Sequence, residues 1–465
     1  MDKSKIILIG AGPAGSLLAI FLAQRGFPVE IYERRPDMRQ ASISAGRSIN
    51  LAISTRGIHA LQTADLWEKI HQIAVPMKGR MMHSVQGALT FQPYGKDETE
   101  VIYAVSRAEL NKALMTEAEK QPGITLHFSE RCTGMDFKTN TVRLRNETTG
   151  QERVIKAETV IGTDGSASAI RADMLKVGRF NFSQEYLEHG YKELTIPPGP
   201  NGAFQIDKNA LHIWPRKTYM LIALPNFDGS FGCIFFFPFE GEESFASLDS
   251  EHKVLDFFQT QFPDALPLMP HLAKEFFRNP TGAMVTIRCY PWHIEDKALL
   301  MGDAAHAIVP FFGQGVNCAF EGCTQLASLI DQYNSNWPRI FSEFERIRKI
   351  NTDAIAALAL ENFVEMRDCV ADPRFLFKKK VEQILERKYP DHFVPKYSMV
   401  TFHRLPYSIA LSRGRTQDKI LSELCDSIEK IEDLDCSRAE QLIKKELSPL
   451  QTASLNNLDE PQILS

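Results

Sequence analysis

The chain has 465 residues, 44% hydrophobic and 24% charged, with a net charge of -5, which suits two or three soluble domains of roughly 100–200 residues each. That acidic balance excludes a nucleic-acid binder, which needs clustered positive charge to meet phosphates. No apolar run reaches the roughly 18–20 residues of a membrane span, and Met1-Asp2-Lys3-Ser4-Lys5 leads directly into a strand, with no room for a leader.

Lys5 to Ile9 reads as a buried strand, Pro13 to Arg25 as a helix with Pro near its start and Gly26 past its end, and Pro28 to Tyr32 as a second strand. Together they predict a strand–turn–helix–strand unit of a parallel sheet. Residues 51 to 72 look helical, 89 to 105 alternate like strands, and Ser106 to Lys120 is a helix opened by a capping box of Ser106 and Glu109. Short β-type runs fill 124 to 161. From about 180 to 285 aromatic-rich strands predict an antiparallel sheet, as at His212-Ile213-Trp214-Pro215 and Gly232 to Phe239. Pro291 to Met301 returns to the first domain, a helix is expected from about Asn317 to Leu329, and 336 to 445 is largely helical. The expected fold class is α/β: a Rossmann-like dinucleotide domain with an inserted antiparallel β-sheet domain and a C-terminal helical region. The expected parts are 1–75, 106–178 and 286–335 for the first domain, 76–105 and 179–285 for the second, 336–450 for the helices, and 451–465 as a loose tail.

Three segments carry the chemistry. In Gly10-x-Gly12-x-x-Gly15 the first glycine permits a tight turn and the second a close backbone approach to a pyrophosphate. The third allows close helix–strand packing, so the helix N-terminus faces the phosphates. Glu33, 18 residues beyond Gly15, ends the next strand, where a ribose diol would be met. Gly162-Thr163-Asp164-Gly165 and Gly302-Asp303-Ala304-Ala305-His306 each follow a predicted strand. Each taken alone reads equally as a loop whose Asp caps the next helix. Pro310-Phe311-Phe312-Gly313-Gln314-Gly315-Val316-Asn317 then opens a helix with several free amides, which favour negative charge on a reduced flavin. Convergence of all these loops on one long cofactor predicts FAD.

The eight cysteines (132, 233, 289, 318, 323, 369, 425 and 436) include no Cys-x-x-Cys pair, which predicts free thiols in a cytoplasmic protein. The twelve histidines show no ligand spacing, so no metal is expected.

These segments resemble those of the group A FAD-dependent aromatic hydroxylases, with the p-hydroxybenzoate hydroxylase fold, over roughly residues 1 to 335. By that resemblance the Asp164 segment serves FAD and NAD(P)H, Asp303 the FAD ribose, and Arg107 in Ser106-Arg107-x-x-Leu110 the pyrophosphate. A narrower likeness runs nearly end to end. Ala45-Gly46-Arg47-Ser48-Ile49-Asn50-Leu51-Ala52, Met77 to His83, Pro93-Tyr94-Gly95, Pro310 to Asn317, Glu361 to Asp368 and Tyr397 to Phe402 look like the kynurenine 3-monooxygenase family. The resemblance implies hydroxylation of L-kynurenine by way of a flavin 4a-hydroperoxide, with NADPH as transient co-substrate and O2 as the oxygen source. No side chain is then needed as catalytic acid or base, because the cofactor carries the chemistry. Mitochondrial members carry a C-terminal hydrophobic anchor; this chain ends in polar sequence and looks like a soluble bacterial-type form. The number of copies in the assembly is left open.

The cofactor residues so implied are Gly10, Gly12, Ala14, Gly15, Glu33, Arg34, Arg47, Leu51, Arg107, Asp164, Asp303, Gly315 and Asn317. For the substrate, the resemblance gives Arg80 the tail carboxylate, helped by Tyr94, Asn362 and Tyr397. Glu365 is placed for the ammonium, Gln314 for the ketone, and Met366, Phe311 and Phe312 for the ring. Read without it, Arg80 is equally a surface cation, Asn362 and Glu365 the wet side of a helix, and the aromatic residues core packing. A hydroxylase of another small aromatic acid and a non-hydroxylating FAD redox module are the competing functions. An isoprenoid-modifying enzyme on the same fold finds no long apolar runs to support it.

Overall fold

The computed structural model describes residues 3–40, 50–366, 372–426 and 428–450. At its centre is a six-stranded sheet in the order His293–Ile294, Ala298–Leu300, Thr159–Gly162, Ile6–Ile9, Val29–Tyr32, Ile124–His127. All neighbours run parallel except the first pair. Every residue of Ile6–Ile9 and of Thr159–Gly162 is buried, the pattern of strands covered on both faces. The helix Pro13–Gln24 covers one face; its residues Gly15 to Leu22 are all buried, which is why it is apolar nearly all round. It stops at Arg25, followed by Gly26 at φ 77°, the left-handed position where glycine carries no Cβ penalty. Arg25 reaches across to Asp331 on the helix Gly315–Tyr333, with Nε donating at 2.8 Å.

A seven-stranded sheet stands beside it, in the order Gly282–Tyr290, Asn181–Ile196, Phe231–Pro238, Tyr219–Pro225, Ala210–Arg216, Gly79–His83, Leu89–Pro93. Its pairs are antiparallel with one exception, Ala210–Ile213 against Gly79–Met82, which run parallel. The run Phe231–Pro238 shows how both faces are filled. Cys233, Phe235 and Phe237 point into a core with the helices Glu251–Gln261 and Leu272–Arg278, while Ile234 and Phe236 point toward Phe311, Phe363 and Met399. Period-two alternation of large apolar side chains gives each face its own core.

The structure departs from the sequence reading in three places. Residues 51 to 72 are not one helix: Asn50–Ile53 is a strand paired with Ile102–Ser106, and the helices Thr55–Thr63 and Trp67–His71 follow. Asn50–Ile53 becomes a strand because a partner about fifty residues away completes its hydrogen bonds. Two helices, Glu251–Gln261 and Leu272–Arg278, interrupt the stretch read as strands. The capping box is half made: Ser106 Oγ accepts from the Glu109 N–H at 3.5 Å, but the Glu109 carboxylate turns to Lys112.

Two buried histidines make stability depend on pH. Burial depresses His212 to about 4 and His306 to about 3. Between pH 4.5 and 6.5 the unfolded chain therefore takes up two protons that the folded chain refuses. Glu386 works the other way, since burial and the nearby Glu100 and Glu382 charges raise it to about 7. Each histidine should therefore cost stability on acidification, by up to about 1.4 kcal/mol per pH unit across that window, while Glu386, Asp164 and Asp303, whose pKa values burial raises, offset part of it. Urea unfolding of wild type and His212→Asn at pH 6.5 and 5 measures the histidine share; an equal pH dependence in both would refute it.

Candidate active site

Ile6–Ile9, Thr159–Gly162 and Ala298–Leu300 are adjacent parallel strands, so the three motif loops leave the sheet at one edge, beyond the strand C-termini. The loops also touch. Thr163 Oγ1 donates to the carbonyls of Ile9 and Gly10 at 2.9 Å. A Cβ on Gly10 (φ 101°) would lie 2.7 Å from the Thr163 carbonyl oxygen, and one on Gly15 would collide with the Gly10 carbonyl. A Cβ on Gly302 would meet Ala319 at 3.6 Å and Ala14 at 3.7 Å. Arg171 ties the second loop to the third by donating to the carbonyls of Ala304, at 2.7 Å, and Ser166.

The cradle has the vacancies that a dinucleotide needs. Nothing lies within 4 Å of where a Cβ would stand on Gly12 or Gly315. No side chain caps the helix Gly315–Tyr333, so its first-turn amides stay available. Asp164 gives Oδ2 to the Ala169 N–H at 2.7 Å, while its buried Oδ1 has no hydrogen-bond partner. Burial pushes the Asp164 pKa up, against the pull of Ser168 and backbone amides. Asp303 has an exposed surface, yet burial by surrounding protein raises its pKa and Arg107 opposes that. A group both solvent-facing and deep is one that lines a cleft. Glu33 is buried and accepts from the Ala11 N–H at 2.9 Å and from Arg35 Nε at 2.7 Å. Burial raises its pKa, and the hydrogen bonds and charge of Arg35 carry it back below the usual value. Arg34 is exposed beside it, and Leu51 is half-buried on its strand. Arg47 lies outside the described residues.

Arg80 lies on the strand Gly79–His83. Its guanidinium stands 4.9 Å from the Tyr397 ring centre and 5.6 Å from that of Tyr94. The two phenols stack at 5.5 Å and 13°, and Phe312 stacks with Tyr397 at 5.6 Å. Arg80 Nε, the Tyr94 hydroxyl and Thr401 Oγ1 are buried without a hydrogen-bond partner. Unpaired buried polar atoms cost about 1–3 kcal/mol each, so an unpaired Arg80 Nε beside the unpaired Tyr94 hydroxyl marks a place suited to a polar ligand. Burial works against the Arg80 charge, but Tyr397, Tyr94 and Glu365 raise its pKa overall. Glu365 is half-buried, 3.8 Å from Lys379, which is itself 3.1 Å from Glu382. Phe311 stacks on Phe363 at 4.3 Å, and Met366 is buried in the same cluster.

Three amide side chains have protein partners. Asn362 Nδ2 donates to the Phe311 carbonyl at 2.7 Å, which ties its helix to the aromatic loop. Asn317 spends its side chain on Ser54 N–H, the Ala52 carbonyl and the Gly313 carbonyl, which leaves only its backbone amide for a cofactor. Gln314 is 2% exposed, accepts from the Tyr407 hydroxyl at 2.9 Å and donates to Ser54 Oγ at 3.3 Å. Its second Nε2 hydrogen remains as the donor a ketone would need.

The FAD binding domain family matches residues 3–192 and 272–337. Kynurenine 3-monooxygenase of Myxococcus xanthus (strain DK1622) is 52% identical over 447 residues, covering 96% of each chain. That of Dictyostelium discoideum is 46% identical, covering 95% of this chain and 98% of its own. The chain belongs to the kynurenine 3-monooxygenase family. Its fold is also that of 2-methyl-3-hydroxypyridine-5-carboxylic acid oxygenase, at TM-score 0.64 and 19% identity over 80% of this chain and 95% of the other. p-Nitrophenol 4-monooxygenase from Pseudomonas putida DLL-E4 gives 0.63 and 15% over 90% and 98%.

Like the family, this protein is a flavoprotein monooxygenase, and its cofactor is FAD. Among the described residues no side-chain group is suited to hold a metal ion, and no helix is long and apolar enough to cross a membrane. Sequence reasoning missed Lys379, Thr401 and Tyr407. Lys379 sits in the run Lys378-Lys379-Lys380, which reads as a solvated face, and only docking of the helix Pro373–Lys388 separates it from its neighbours. Burial lowers its pKa, but Glu382 and Glu365 more than restore it.

Proposed function

We propose that this protein hydroxylates L-kynurenine at ring carbon 3, taking electrons from NADPH and one oxygen atom from O2, with water as the other product. The supporting observation is the half-buried Arg80, whose buried Nε has no partner, framed by Tyr94 and Tyr397 and close enough to Glu365 to feel its charge. Kynurenine carries the complement: a carboxylate for the paired donors of Arg80, an ammonium for Glu365, and a flat ring for Phe312 and Tyr397. A phenolic benzoate has no ammonium to offer Glu365.

In this reading Gly10 to Gly15 and the helix Pro13–Gln24 receive the FAD pyrophosphate, with Arg107, Arg34 and Arg47 supplying positive charge. Glu33, Asp164 and Asp303 meet hydroxyls, and the free amides at Gly315 and Asn317 face the flavin. Bound FAD supplies the electron transfer and oxygen activation. The protein orients the substrate and excludes water. The ring amino group of kynurenine activates the ortho carbon itself, so no basic side chain has to remove a proton before attack. Residues 336–450 roof the pocket, a role supported by Tyr397, Thr401, Glu365 and Lys379 all coming from that stretch. A cytoplasmic setting is supported by the seven described cysteines, which are free thiols, six of them buried.

The purified protein should be yellow and convert kynurenine to 3-hydroxykynurenine in chromatographic assays with NADPH and air. A colourless protein that takes up no FAD, or one that yields only hydrogen peroxide with kynurenine, would end this reading.

A further inference from the structure

We propose that Tyr407 is a positioning residue whose hydroxyl, through Gln314, links closure over the substrate to the loop at the flavin. This rests on the reading of Arg80 and Tyr397 given above. The segment from the helix Lys396–Thr401 to Tyr407 has one end in each place. At the first, Tyr397 stands over the Arg80 guanidinium and stacks on Tyr94 and Phe312. At the second, Tyr407 is fully buried and its hydroxyl donates to Gln314 Oε1 at 2.9 Å.

Gln314 directly precedes the uncapped helix Gly315–Tyr333, so its position sets that of the free amides. The Tyr407 hydroxyl donates to Oε1, which holds the Gln314 amide in place. Ser54 Oγ accepts from Nε2 at 3.3 Å, a longer and weaker partner.

The segment between the two tyrosines has little freedom. Arg56 donates to the carbonyls of Val400 and Leu405, and its guanidinium lies 3.9 Å from the Tyr407 ring centre. Arg56 is 1% exposed and paired with Glu321, which also pairs with Arg348 at 2.5 Å. A shift of Tyr397 as a carboxylate docks on Arg80 is therefore passed along a braced piece of chain. Its hydrogen bond to the Gln314 side chain is made by the Tyr407 hydroxyl. Substrate occupancy then sets the loop for fast flavin reduction and for delivery of oxygen to the ring.

Tyr407→Phe keeps the ring over Arg56 and removes only the hydroxyl. The acceleration of flavin reduction by kynurenine in stopped-flow should fall about tenfold, the worth of one buried hydrogen bond, and more NADPH should end as hydrogen peroxide. Calorimetric affinity for kynurenine should stay near wild type, and the unfolding midpoint should drop modestly because Gln314 Oε1 loses its buried donor; a merely structural role would lower that midpoint without slowing flavin reduction in the folded variant. Ser54→Ala, which frees the other end of the Gln314 amide, should shift the same two quantities less, and it decides the matter if Tyr407→Phe does not fold. Wild-type acceleration and product yield in a folded variant would overturn the proposal. Failure of the wild-type protein itself to form 3-hydroxykynurenine would instead overturn the function proposed above.

Discussion

Arg80→Ala should weaken kynurenine binding by about 2–5 kcal/mol, roughly thirtyfold or more, because a desolvated carboxylate loses its paired donors. The guanidinium cannot be replaced from nearby. Lys379, also close by, is engaged with Glu365 and Glu382, and the Tyr94 hydroxyl contributes no charge. Arg80→Lys should recover only part of the affinity, since an ammonium offers a point charge without the planar fork. FAD content should not change: Arg80 belongs to the seven-stranded sheet, and the cradle residues stand at the edge of the six-stranded one. Titration followed by flavin fluorescence measures both quantities. Kynurenine affinity within threefold of wild type would remove Arg80 from the site.

The largest effect on stability is expected from Glu321→Gln. Arg56 and Arg348 are each 1% exposed, and Glu321 bridges them with one oxygen apiece. Burial pushes the Glu321 pKa up, and the two guanidinium charges bring it below the usual carboxylate value. Glutamine is nearly isosteric but leaves two buried cations without a counter-charge, which costs about 3–5 kcal/mol. These three residues join the helices Thr55–Thr63, Gly315–Tyr333 and Trp337–Val364, so the loss falls on the packing that carries Gln314 and Gly315. By contrast, Arg438→Ala removes an exposed partner of Glu423 and should change stability by about 1 kcal/mol or less. Thermal unfolding of both variants makes the comparison. Equal midpoints for Glu321→Gln and wild type would refute the role of the triad.

The legible parts of this chain were those whose geometry is local. Gly10, Gly12 and Gly15 are demanded by a turn in which a Cβ at the first or third position strikes neighbouring backbone. The helix from Pro13, the stop at Gly26 and the strand on either side of them follow from apolar pattern and punctuation over a few residues. Asn50–Ile53 was misread because strand formation there depends on Ile102–Ser106, and no local signal carries that pairing. The parallel contact between Gly79–Met82 and Ala210–Ile213 is equally remote in sequence.

By itself, then, the sequence determined the phosphate-binding turn, the alternation of strand and helix that builds the parallel sheet, and the kinds of side chain available for a carboxylate-bearing ligand. It did so because backbone sterics and hydrophobic periodicity act within one or two turns of chain. Tertiary structure alone decided what the amides do. Gln314, Asn317 and Asn362 each carry donors and an acceptor that serve a ligand or a neighbouring carbonyl equally well, and packing assigned them to Tyr407 and Ser54, to Ala52 and Gly313, and to Phe311. Packing likewise set Lys379 between Glu365 and Glu382 and put Tyr407 against Gln314, since which polar groups meet depends on contacts remote in sequence.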